Sequence, residues 1–138
     1  MKNKTILLVE DNPDDIELTL MAFKENSIKN EIVIARDGEQ AIELLAPDKG
    51  MKVAPALILL DLKLPKVSGL EVLKYVRSQP HIRRIPVVIL TSSKEEQDLV
   101  QSYDLGCNSY VRKPVDFSEF IKASKTLGLY WLLMNETP

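Results

Sequence analysis

Four consecutive aliphatic residues, Leu57-Ile58-Leu59-Leu60, followed at once by Asp61, constrain this chain more than any other stretch. So short and wholly apolar a run suits a strand buried on both faces, the environment of a central strand in a parallel sheet. Open α/β sheets place their ligands at the carboxyl ends of the strands, and Asp61 stands at that end. An aspartate opening a turn would look the same in isolation, and Pro65 soon forbids further strand pairing. The rest of the chain decides between the two.

Residues 5–9 are a second aliphatic run, and it also ends in carboxylates, Glu10 and Asp11. Asn12 can cap a helix that starts at Pro13, carries Asp14 and Asp15 at its positive end, turns Ile16, Leu20 and Phe23 inward and fades near residue 26. Residues 31–35 form a β-branched strand. Asp37 and Gln40 give a capping-box pattern for a helix bearing Ala41, Leu44 and Leu45. Residues 47–55 read as a loop by their proline, glycine and charge. After the central strand, Ser68 and Glu71 form another box, opening a helix that runs to about Ser78. Residues 79–86 are a basic connector holding the lone histidine, His81, which is expected to be solvated.

A fourth strand over residues 87–90 ends in Thr91-Ser92-Ser93. Ser93 and Glu96 predict a third box, for a helix with Leu99, Val100 and Tyr103 inward and Gly106 as its stop. Residues 109–111 are a fifth strand ending at Arg112-Lys113-Pro114. Asp116 and Glu119 cap a last helix, with Val115 and Phe120 as its hydrophobic staple. The alternation βαβαβαβαβα specifies a doubly wound parallel sheet with helices on both faces. No repeat or linker interrupts it, so residues 1–138 read as one domain.

Composition excludes several function classes. A formal net charge of -2 provides no electrostatic footing for nucleic acid or an anionic membrane. One cysteine, Cys107, leaves no internal disulfide and no thiolate cluster for zinc, and fits a reduced, cytoplasmic setting. The apolar stretch after Met1-Lys2-Asn3-Lys4 is broken by Glu10 and Asp11, too soon for a signal peptide. No apolar run approaches the roughly 20 residues needed to span a bilayer.

The topology delivers polar residues from four strands to one edge: Glu10 and Asp11, Asp61, Thr91 and Lys113. If the first and third strands are neighbours, Asp11 and Asp61 lie roughly 5 Å apart. Two ionised carboxylates at that distance repel by about 3 kcal/mol at an effective dielectric near 20. A hard divalent cation relieves this, and carboxylates, a carbonyl and water suit Mg²⁺. With a hydroxyl and an ammonium beside it, such a site fits a transferring phosphoryl group. Asp61 is then the nucleophile that forms an acyl phosphate, with Lys113 and the metal neutralising oxygens and Thr91 donating a hydrogen bond.

At this point the chain resembles a known family, the receiver domains of two-component response regulators (CheY-like). The resemblance covers essentially the whole chain. It rests on Val9-Glu10-Asp11-Asn12, on Leu60-Asp61-Leu62-Lys63-Leu64-Pro65 with Gly69, on Thr91-Ser92, and on Tyr110 through Pro114. It implies a flavodoxin-like (βα)5 fold with strand order 2-1-3-4-5, and Asp61 as acceptor from a histidine kinase. Asp11, Asp61 and the backbone carbonyl of Lys63 become the direct Mg²⁺ ligands, with Glu10 bound through water and a cis bond before Pro114.

By fold alone Tyr110 would be a half-buried aromatic with a solvated hydroxyl. The resemblance makes it, with Thr91, the switch that alters the surface of the last two helices and fifth strand. Ser68 replaces the family's usual aspartate and Ser92 its common alanine, and neither removes a function. Lys63 and Ser93 occupy positions that tune dephosphorylation.

The tail carries Leu127, Leu129, Tyr130, Trp131, Leu132, Leu133 and Met134, more apolar side chains than one helical face hides. It reads as an exposed patch that pairs two receivers or docks a partner, the alternative being an irregular end folded over the core. The tail and the 47–55 insertion resemble stand-alone receivers that serve bacterial phytochrome-type kinases.

A haloacid-dehalogenase-like phosphatase would want a second acid two residues after the nucleophile, where Lys63 stands. A dinucleotide module would need a glycine-rich turn where Glu10-Asp11-Asn12-Pro13 stands. An adaptor that never takes phosphate would not need the full polar set. The expected role is a signalling receiver, an enzyme only toward its own phosphotransfer and dephosphorylation.

Overall fold

The structure, a computed structural model, describes residues 5–25, 30–47, 54–92 and 94–112. Five parallel strands, β1 (Ile6–Val9), β2 (Ile32–Ala35), β3 (Leu57–Leu60), β4 (Val87–Thr91) and β5 (Ser109–Arg112), lie in the order β2-β1-β3-β4-β5. Four described helices alternate with them: α1 (Pro13–Glu25), α2 (Gly38–Leu45), α3 (Gly69–Ser78) and α4 (Glu96–Asp104). The order is the flavodoxin-like one expected from the resemblance. β1, β3 and β4 are buried at every residue, while β2 at the edge is mostly half-buried.

Alternation along the strands divides the core in two. Leu7, Val9, Ile58, Leu60, Val87 and Ile89 face α2 and α3 through Ala41, Leu45, Val72, Leu73 and Val76. Ile6, Leu8, Leu57, Leu59, Val88 and Leu90 face α1 through Ile16, Ala22 and Phe23. Each strand is therefore apolar on both sides, which is why the runs in the sequence do not alternate.

The helix starts follow their local chemistry. Asn12 Oδ1 accepts from the amides of Asp14 (2.9 Å) and Asp15 (3.4 Å), and Ser68 Oγ from that of Glu71 (3.3 Å). Asp37 Oδ1 accepts from Gln40 N at 2.7 Å, but the Gln40 side chain returns to the amide of Arg36, also at 2.7 Å, one residue upstream of the expected box.

Two expectations fail. In α1 the inward stripe is Ile16, Thr19, Ala22 and Phe23, and Leu20 is 36% exposed. Thr19 can be buried because its hydroxyl donates to Asp15 O at 2.8 Å. In α4 Val100 and Tyr103 are about half exposed, at 52% and 51%, and Ser102 occupies the inward position, because α4 packs chiefly on α3 and β5. His81 is exposed, as expected, and its Nε2 also lies 2.9 Å from Leu45 O at the end of α2. Ser93 of the third capping box lies outside the described residues; the N-cap position of α4 is Glu95, without a side-chain capping bond.

Candidate metal and phosphoryl site

β1 and β3 pair with Val9 opposite Leu60, so the next residue of each, Glu10 and Asp61, emerges side by side. Ladder bonds carry both to the edge: Asp61 N donates to Val9 O at 3.0 Å and Glu10 N to Ala35 O at 2.9 Å. A carboxylate oxygen of each of Glu10, Asp11 and Asp61 lies within 4.8 Å of the others. Glu10 and Asp61 are buried, at 2% and 5% exposure, and Asp11 is exposed at the mouth. The sequence placed Asp11 roughly 5 Å from Asp61, and their carboxylate oxygens do lie within 4.8 Å; the register adds that Glu10 stands level with Asp61 and Asp11 one residue beyond.

Backbone amides hold the carboxylates in place. Glu10 Oε2 accepts from the N–H groups of Asp11 (3.1 Å) and Asn12 (3.3 Å), where the chain turns into α1. Lys63 N–H donates to Asp61 Oδ1 at 3.3 Å. Gly69 sets the floor of this loop. A Cβ there would lie 2.2 Å from Asp61 O and 2.5 Å from Leu62 Cα, so only glycine lets α3 start against the backbone of Asp61.

Thr91 ends β4 with no exposure and pairs with Arg112, while Tyr110 pairs with Ile89. Paired residues of parallel strands share a face, as do residues two apart, so Thr91 and Tyr110 sit diagonally on the α2–α3 side of the sheet. The Tyr110 ring is half-buried, packed on that core, with its hydroxyl oxygen shielded from water rather than solvated. The described chain stops at Arg112, so Lys113, its bond to Pro114, the last helix and Trp131 lie outside the described residues.

Three carboxylates this close, two of them buried, gather oxygen donors at one point of the sheet edge. Hard carboxylate donors suit a hard divalent ion. A residue that sequence reasoning missed stands on the opposite side of the molecule. Arg77, in the last turn of α3, ties the 79–86 connector to the turn before β5. No periodicity marks it, since it reads as an ordinary helix-surface arginine.

The family model for the response regulator receiver domain matches residues 6–125. The chain belongs to that family. Response regulator Rcp1 of Synechocystis sp. is 40% identical over 131 residues, covering 94% of this chain and 89% of its own. A Mn²⁺-bound form of response regulator Rcp1 superposes with a TM-score of 0.82 at 39% identity, over 98% of this chain and 99% of that one. The bacteriophytochrome response regulator AtBRR is 54% identical, with a TM-score of 0.79, over 99% of this chain and 100% of its own. The phosphorylated cyanobacterial phytochrome response regulator RcpA is 40% identical, with a TM-score of 0.83, over 99% of each chain.

This receiver is thus a signalling protein of a two-component system, and a histidine kinase is its class of partner. Receiver domains bind a divalent metal at an acidic pocket, and Glu10, Asp11 and Asp61 form such an acidic cluster here. Among the described residues no helix is long and apolar enough to cross a membrane.

Proposed function

We propose that this receiver accepts a phosphoryl group on Asp61 from a sensor histidine kinase of the phytochrome type. The observation that carries the reading is the meeting of Glu10, Asp11 and Asp61 within 4.8 Å, beside buried Thr91. One carboxylate oxygen of Asp61 attacks phosphorus, the P–N bond of a phosphohistidine breaks, and the imidazole leaves and takes up a proton. The Lys63 amide orients Asp61 for this attack. Thr91 donates a hydrogen bond to the arriving group, and Lys113 offsets its charge.

Mg²⁺ fits the donor set, held by Asp11, Asp61 and the Lys63 carbonyl, with Glu10 through water. When bound it neutralises negative charge on the phosphoryl oxygens. The similarity to a phosphorylated RcpA and to a Mn²⁺-bound Rcp1 supports both parts.

The acyl phosphate adds about -1.5 to -2 charge at the sheet edge. Thr91 moves toward it, and Tyr110, diagonal to Thr91 on the same face, takes the space. The surface of α4, β5 and the last helix changes as a result. The protein acts in the cytoplasm, residues 1–138 forming one receiver domain that binds neither nucleic acid nor membrane. Beyond its own phosphotransfer and dephosphorylation it performs no catalysis. The apolar tail pairs two receivers; sedimentation velocity should show concentration-dependent dimers that weaken in Trp131→Glu, and a monomer throughout would remove this part.

The central test mixes the protein with Mg²⁺ and acetyl phosphate or an autophosphorylated phytochrome-type kinase. Uptake of one phosphoryl group, stable to acid, labile to hydroxylamine and lost in Asp61→Asn, is expected. Uptake that survives Asp61→Asn would overturn the assignment.

A further inference from the structure

Helix α4 begins five residues after Thr91 ends β4, so its amino end lies close in sequence to the site while its carboxyl end is remote. At 1.5 Å per residue its length is about 13 Å. The carboxyl end is closed by Leu105 N to Gln101 O (2.9 Å), Gly106 N to Tyr103 O (3.0 Å) and Cys107 N to Ser102 O (2.9 Å). Gly106 has φ 95°, the left-handed conformation that stops a helix.

Arg77 grips this turn from α3. Its Nε and Nη2 donate to Gly106 O at 2.9 and 2.7 Å, and Nη2 also to Asn108 Oδ1 at 3.0 Å. Its Nη1 donates to Arg83 O at 3.0 Å and Ile85 O at 2.6 Å. All five guanidinium N–H groups are therefore used, and every acceptor is neutral. Asn108 passes the hold on to β4, its Oδ1 accepting from Val87 N and its own N donating to Val87 O, both at 2.8 Å. Along α4 itself Ser102 is the one buried residue.

We propose that Arg77 is the positioning residue of a hinge: it pins the carboxyl end of α4, so that loading Asp61 swings the end nearest Thr91 about Gly106. The inference rests on the reading of Asp61 as phosphoacceptor. An unpinned α4 would shift as a whole and spread the response into the start of β5. A pinned one converts the same event into a tilt and moves Val100 and Tyr103 with it. The five-donor fork is what lysine cannot reproduce, having three donors on a point charge.

The test uses ¹⁵N-labelled full-length protein with Mg²⁺, with and without beryllofluoride as an acyl phosphate mimic. The Lys63 amide, bonded to Asp61, reports loading. In the native protein the amides of residues 96–101 should shift at least threefold further than those of Gly106, Cys107 and Asn108. In Arg77→Lys the Lys63 shift should persist, while the two groups of amides become equal and exchange at Gly106–Asn108 quickens at least tenfold. If Arg77→Lys fails to fold, Asn108→Ala opens the same clamp from the other side with the same expected pattern. A loaded native protein whose amides shift equally along α4, or a variant that keeps the native contrast, overturns the hinge alone. No Lys63 shift at all would count against Asp61 as acceptor and take the hinge with it.

Discussion

Lys66 is the one non-glycine residue at positive φ among those described, at 68° in the loop between Asp61 and α3. A side chain in that region costs roughly 1–2 kcal/mol. The ion pair of its Nζ with Asp37 at 3.8 Å is exposed and returns little. The strain is held by the turn itself, through Val67 N to Pro65 O at 2.9 Å and Gly38 N to Pro65 O at 3.3 Å. Lys66→Gly should therefore raise stability by about 0.5–1 kcal/mol in urea denaturation, the gain being limited by the entropy that glycine adds to the unfolded chain.

Cys107 shows how burial controls a titration. Its thiol is pushed up from 9.0 to about 11, chiefly by desolvation, with the Arg77 guanidinium pulling the other way. The folded state thus keeps a proton that the unfolded chain releases. That contribution to stability is whole below pH 9 and is lost as pH rises from 9 to about 11. A thiol-disulfide reagent should react slowly with the native protein at pH 8 and quickly once it unfolds.

At the scale of elements, the helix starts were legible because capping is a matter of three or four residues. Asn12, Asp37 and Ser68 act where their side chains stand in the sequence. The inward faces were less so. In α1 the apolar series Ile16, Leu20, Phe23 competes with Ile16, Thr19, Phe23, and only packing against Leu8 and its neighbours selects the second.

In α4 the selected residue is Ser102, whose buried Oγ has no hydrogen-bond partner among the described residues. Ser102→Ala removes that unsatisfied hydroxyl and improves helix propensity, so it should stabilise the protein by about 1 kcal/mol, read from the urea midpoint. The same variant tests whether the packing of α4 matters. A better-packed helix should respond less to beryllofluoride.

For the molecule as a whole, the acidic edge couples ion binding to folding. Bringing Glu10, Asp11 and Asp61 together costs free energy that a divalent ion restores. At Mg²⁺ one hundred times its dissociation constant the gain is about 2.7 kcal/mol, visible as a rise in Tm. Asp61→Asn should raise the metal-free stability by about 1 kcal/mol, because one of the repelling charges is gone. It should also flatten the Mg²⁺ dependence, measured by thermal melts with and without chelator.

The sequence by itself determined what neighbouring residues decide among themselves. It specified five short strands, the caps that start the helices, and carboxylates or hydroxyls where three strands run out. Each of these follows from periodicity or from side-chain chemistry within a turn of chain. Tertiary structure alone decided that Glu10 rather than Asp11 stands level with Asp61, because strand register is a sum over the whole β1–β3 pairing. It also turned Leu20 and Tyr103 outward and joined Arg77 to Gly106 across 29 residues. Those outcomes belong to packing between distant segments, where the free energy of one contact depends on all the others being in place.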